Sequence, residues 1–164
     1  ALADRRPMLI DEADEDLDTF RRALDLGYTG VSSKSCKGLT KALANFALCQ
    51  YLDAGRYFVS AEDLTTIPVV SLHQDLVHVA ALGIDHLERN GHHYIRGLDH
   101  LSVHERRRCL VDHGDLYRTV DDSGFMDIRE GRIAIGSLQI PGMGIGGIVE
   151  SGAMRPLTSW LEEN

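Results

Sequence analysis

The chain is 164 residues long, the size of one compact domain able to bury a core of its own. Hydrophobic residues make up 43% and charged residues 26%, an ordinary globular composition that excludes extended disorder, and no apolar run approaches the ~18 residues a membrane span needs. Lysine and arginine number 17 against 25 acidic residues, a net charge of −8, so neither nucleic acid nor a membrane surface is an expected partner.

The chain opens Ala1-Leu2-Ala3-Asp4, with no initiator methionine and no targeting segment, and its start is expected to lie inside a longer protein. Met8-Leu9-Ile10 then ends in Asp11-Glu12, and Leu17, Phe20, Ala23 and Leu24 recur at helical spacing until Gly27, which predicts a strand and then a helix. Gly30-Val31-Ser32-Ser33 predicts a second strand running into Lys34. After Gly38 the segment 39–54 places Leu39, Leu43, Phe46, Ala47 and Leu52 on one helical face. Tyr57-Phe58-Val59-Ser60 predicts a third strand followed by an acidic loop, and Pro68 suits the first turn of a helix over 69–82. A fourth strand is expected over Ile84 to Leu87. Strand starts near residues 8, 30, 57 and 84 keep the pace of βα units in a parallel sheet.

Beyond residue 88 the rhythm changes. Residues 90–100 are polar and rich in histidine, and Ser102-x-x-Glu105 is a capping box for one more helix, reaching about Val111. Residues 126–129 and 132–135 alternate around Glu130-Gly131, the pattern of a β-hairpin. The expected class is therefore α/β, with βα units over residues 1–112 and a C-terminal tail with a small β-hairpin over 113–164. A closed parallel barrel takes eight strands and about 250 residues, so the chain offers an open four-stranded sheet or half of a barrel. Cys36, Cys49 and Cys109 are odd in number and lack CxxC spacing, which suits a reducing, cytoplasmic setting; Cys36 and Cys49 are expected to be buried thiols.

In parallel α/β folds chemistry collects at the carboxyl ends of the strands. Those ends carry Asp11-Glu12, then Lys34 with Lys37, then Glu62-Asp63, then Glu88-Arg89. Clustered carboxylates supply the hard oxygen ligands that Mg²⁺ prefers. A lysine facing such a cation has its ammonium form disfavoured, and its pKa falls toward the range of a general base. Metal and lysine together suit removal of a proton α to a carboxylate, with the metal stabilising the enediolate. Glu88, across the site, would donate a proton or a hydrogen bond. Lys37, Glu62 and Asp63, with His92 and His93 from the following loop, are the candidate contacts for a small-molecule carboxylate substrate.

Ile10-Asp11-Glu12-Ala13 followed by Gly30-Val31-Ser32-Ser33-Lys34-Ser35-Cys36-Lys37-Gly38 resembles the fifth and sixth barrel strands of the enolase superfamily, in its mandelate racemase and muconate-lactonizing group. His86-Leu87-Glu88-Arg89 is similar to that group's last barrel strand, and Ile128 to Ile133 with Pro141-Gly142-Met143-Gly144-Ile145 to its closing hairpin and glycine signature. The resemblance runs through nearly the whole chain and implies the C-terminal half of a TIM-like (β/α)₇β barrel. It implies Asp11 as metal ligand with Glu12 as fallback, Lys34 as base, and Glu88 as acid or carboxylate partner. Thr65-Thr66-Ile67-Pro68 stands where racemase-type members carry a histidine, so a Lys/His two-base racemase is not expected. Acid-sugar dehydration, epimerisation and cycloisomerisation all remain open. The first four strands, with two metal ligands, and the capping domain are absent from the sequence. The chain alone is thus expected to be inactive, and to associate with that missing half or as a homo-oligomer.

The rival readings are a receiver-like signalling module, for which Asp11-Glu12 would be the acidic pocket, and a non-catalytic structural fragment. A receiver needs its lysine on a later strand than Lys34 occupies. Gly142, Gly144 and Gly147 match G-x-G-x-x-G without the helix and acidic residue that a dinucleotide site needs. The histidines at 86, 92, 93, 100 and 104 have no cysteine near them and read as polar loop residues rather than a zinc set.

Overall fold

The computed structural model describes residues 6–63, 66–146, 152, 154 and 156–163. The chain divides into two compact units, Ala1–Ile95 and Arg96–Asn164, so the helix opened by Ser102 belongs to the second. Among the described residues no helix is long and apolar enough to cross a membrane.

The first unit is α/β. Its strands β1 (Leu9–Ile10), β2 (Gly30–Ser33), β3 (Phe58–Asp63) and β4 (Leu87–Arg89) form one parallel sheet in the order β1-β2-β3-β4. The crossovers are α1 (Thr19–Asp25), α2 (Leu39–Asp53) and α3 (Val70–Ala81), the strand–helix alternation expected from the sequence. Register aligns Ile10 with Val31 and Val31 with Val59, so these side chains share the face that receives the helices. There Ile10 and Val31 pack with Phe20, Ala23 and Cys49 in a buried apolar cluster. Alternation turns Gly30, Ser32 and Lys34, with Phe58, Ser60 and Glu62, to the opposite face. Gly30 is required there because a Cβ would sit 2.5 Å from the Phe58 ring.

Three elements differ from expectation. Leu39, Leu43 and Leu52, on the expected apolar face of α2, are exposed, and the helix buries Lys41, Ala42, Asn45 and Cys49 instead. The reason is that Lys41 and Asn45 both reach Asp14, placing a polar network under the helix. β3 runs on through Glu62 and Asp63, which therefore belong to the sheet rather than to a loop. β4 begins at Leu87, later than expected, because Gly83 and Ile84 still donate to the carbonyls of Ala80 and Val79 as α3 ends. In addition, Cys36 is exposed rather than buried.

The second unit opens with α4 (Val103–Asp112), capped by Ser102 and Glu105 in the expected reciprocal box. Two antiparallel hairpins follow, β5 (Tyr117–Val120) with β6 (Ser123–Met126) and β7 (Ile128–Arg129) with β8 (Arg132–Ile133). The second is the hairpin read around Glu130-Gly131. The first has no glycine signal in the sequence at Asp121-Asp122, yet both aspartates take the positive φ of a tight turn, 47° and 64°. A last helix, α5 (Leu157–Glu163), ends the unit.

Candidate active site

β2 ends at Ser33, and the next residue, Lys34, keeps an extended backbone with φ −138° and ψ 130°. Its side chain therefore leaves the sheet on the face opposite the helices. Lys34 is 2% exposed, and its Nζ lies 2.7 Å from Asp11 Oδ1, 3.0 Å from Glu12 Oε1 and 2.7 Å from Glu62 Oε2. An ammonium has three donors, and here each has a carboxylate. The strand ends of β1, β2 and β3 thus meet at one buried nitrogen.

Local backbone geometry sets this convergence. After β1, Asp14 N–H donates to the Asp11 carbonyl at 2.8 Å, closing a turn that returns the acidic residues to the sheet. After Lys34, a single 3₁₀ turn over Ser35–Lys37 forms, and Ser35 N–H donates to Asp75 Oδ1 of α3 at 3.3 Å. Gly38 then takes φ 103°, a conformation L side chains resist, and starts α2. The turn aims Lys37 back at β1, where its Nζ donates to the Asp11 carbonyl at 2.6 Å and to Oδ1 at 3.3 Å.

The charges respond to this packing. Burial is the strongest single influence on Lys34 and favours the neutral amine, but hydrogen bonds to Asp11, Glu62 and Glu12 together outweigh it and raise the pKa above the ordinary value. Burial likewise pushes the Asp11 carboxyl up, and the bonds from Lys34 and Lys37 bring it below its usual range. Glu12, exposed, is lowered chiefly by its bond from Lys34. The fall in Lys34 basicity expected from the sequence is therefore not found: with three carboxylates on its Nζ, Lys34 is held as the ammonium.

Oxygens of Asp11, Glu12 and Glu62 lie within 4.8 Å of one another, close enough to converge on one ion, and an all-carboxylate donor set suits a hard cation such as Mg²⁺. Lys34 Nζ occupies the point they share. Glu62, expected as a substrate contact, joins the candidate metal ligands. Glu88 sits level with Glu62 on β4 and is exposed; among the described residues no ion pair joins it to Lys34. His92 and His93 lie in an exposed turn with their rings 4.0 Å apart, and among the described residues no ion pair or hydrogen bond joins them to the cluster. The side chain of Asp63 lies outside the described residues.

Two groups escaped the sequence reading. Asn90, just past β4, donates from Nδ2 to Glu62 Oε1 at 3.4 Å. Asp14, 1% exposed in its side chain, accepts from Lys41 Nζ at 3.0 Å. Neither had a signal in the sequence, because both sit in polar stretches that read as loop or helix surface. Compared with protein-family models, with curated proteins and with solved structures, the chain matches none of them.

Proposed function

We propose that the chain is the C-terminal half of a (β/α)₇β barrel of the enolase-superfamily type, from an enzyme that removes the proton α to a carboxylate. The observation that carries the reading is Lys34, a buried amine gripped by carboxylates from the ends of both neighbouring strands. A strand-end lysine serving only solubility would snorkel to water instead. The observed order, with β1 at an edge of the sheet, also departs from a receiver, whose first strand lies inside its sheet.

Asp11, Glu12 and Glu62 are the residues that would hold Mg²⁺, and the ion would supply charge stabilisation for the enediolate. Lys34 takes the α proton on Nζ once its carboxylate partners are engaged and the amine is neutral. Lys37, anchored on Asp11, presents a positive charge to the substrate carboxylate. Glu88, level with Glu62 on β4, would return a proton or hold a hydrogen bond. The open β1 and β4 edges are covered by the remaining half of the barrel or by a second copy. Without that cover the chain by itself is inactive.

The test is deuterium uptake at Cα when the parent enzyme, with Mg²⁺, is incubated in D₂O with a panel of hydroxy and sugar acids. Uptake is expected with at least one acid, and Lys34→Met is expected to slow it by at least about 100-fold. No uptake with any member, or uptake undisturbed by Lys34→Met, overturns the reading.

A further inference from the structure

The sheet face that carries Lys34 holds a second polar layer below it. We propose that the Ser60–His86 pair in that layer is a binding element of the same site, recognising a hydroxyl-bearing group on the chain of the carboxylate. The inference rests on the reading of the site as one for a carboxylate substrate. Register fixes the placement: Ser32 pairs with Ser60, Ala61 pairs with Leu87, and Ala61 N–H donates to the His86 carbonyl at 3.1 Å. Side chains alternate along a strand, so Ser32, Ser60 and His86 share the face of Lys34, Glu62 and Glu88, about 6.6 Å nearer the strands' amino ends. Inward layers of parallel barrels are filled mainly by bulky branched side chains. This layer carries two serines and a histidine instead.

Ser60 Oγ and His86 Nδ1 lie 2.8 Å apart, which fixes the imidazole and leaves Nε2 as its outward nitrogen. His86 is exposed, and among the described residues Nε2 has no other partner. A tethered imidazole presents one donor or one acceptor, according to the tautomer that Ser60 selects. A hydroxyl satisfies either, whereas an apolar chain leaves that nitrogen unpaired when it displaces water.

Gluconate and hexanoate, six-carbon acids with and without chain hydroxyls, are the probes, titrated calorimetrically into the parent enzyme with Mg²⁺. Gluconate is expected to bind at least about 10-fold more tightly than hexanoate, with Ser60→Ala and His86→Phe each removing most of that preference and His86→Gln restoring part of it. The ¹⁵N-imidazole resonances of His86 are expected to shift with gluconate and not with hexanoate, a readout that needs no variant to fold. Equal binding of the two acids, binding of neither, or variants that weaken both alike overturns the proposal. Hydroxyl preference without deuterium uptake in the parent enzyme leaves this element standing and removes the catalytic reading; uptake without the preference does the reverse.

Discussion

Glu62 Oε2 lies 2.7 Å from Lys34 Nζ across the β2–β3 ladder, and the other Glu62 oxygen accepts from Asn90 beyond β4. With Asp11 on the far side of Lys34, one hydrogen-bonded chain ties together the carboxyl ends of all the strands in the sheet. The helices pack on the opposite face, so on this face the strand ends are held by polar contacts.

Replacing Lys34 by methionine leaves Asp11, Glu12 and Glu62 facing one another without their shared cation. The variant is expected to lose about 1–3 kcal/mol of stability at neutral pH, the cost of stranding partly buried charge. Urea denaturation measures it. Millimolar Mg²⁺ should raise the variant's midpoint more than the wild type's, since bound ion adds to stability and the ammonium no longer competes. Equal shifts in the two proteins would show that the carboxylates are no cation site.

The same cluster sets a pH window. Asp11 and Glu12 are lowered from ordinary values of 3.8 and 4.5, so their contribution is present above those values and is lost as pH falls through the lowered ones. Lys34 is raised from 10.5, so its contribution is complete below that value and is lost as pH climbs through the raised one. Both flanks report one set of contacts. Stability from this cluster is therefore expected to be level from about pH 5 to 10 and to fall on either side. Lys34→Met should remove the alkaline flank and blunt the acid one, as followed by urea midpoints across pH.

Periodicity made the α/β alternation legible because each strand is a short apolar run and each helix follows a turn residue. The charged strand ends were legible for the same reason, and Asp11, Glu12, Lys34 and Glu62 do meet. What the sequence did not reveal is which face of α2 is buried. Leu39, Leu43 and Leu52 outweigh Ala42 and Asn45 on any hydropathy scale, but the polar groups on the other face have Asp14 to reach. Asn90 was illegible because its role depends on a register between β3 and β4 that no local pattern encodes.

His78 on α3 is held by Ser33, with Oγ and Nε2 3.1 Å apart in a buried setting. Burial, opposed by Asp75, lowers its pKa from 6.5. The folded protein thus resists a proton that the unfolded chain accepts, and stability declines as pH drops below about 6.5. His78→Asn is expected to cost about 1–3 kcal/mol at pH 8, where Ser33 loses its partner, and to flatten the decline between pH 6.5 and 5. A decline of unchanged size in the variant would place its origin in another group.

Asp14 and Lys41 are a buried ion pair, with side chains 1% and 9% exposed and 3.0 Å between Oδ2 and Nζ. Lys41 Nζ also donates to the Asp14 carbonyl, and Asn45 donates to the same carboxylate. Taking such charges out of water consumes much of their attraction, so the pair itself adds little net stability. Removing one member strands the other. Asp14→Leu alone and Lys41→Met alone are each expected to cost about 3–5 kcal/mol, while the double variant recovers most of it. Asp14→Leu should also loosen the turn that begins at Asp11, because the Lys41 ammonium then abandons the Asp14 carbonyl for water. Urea denaturation of all three variants, arranged as a double-mutant cycle, gives the coupling. Additive losses would mean that Lys41 finds another acceptor when Asp14 is gone, and that the network under α2 is not what chooses its buried face.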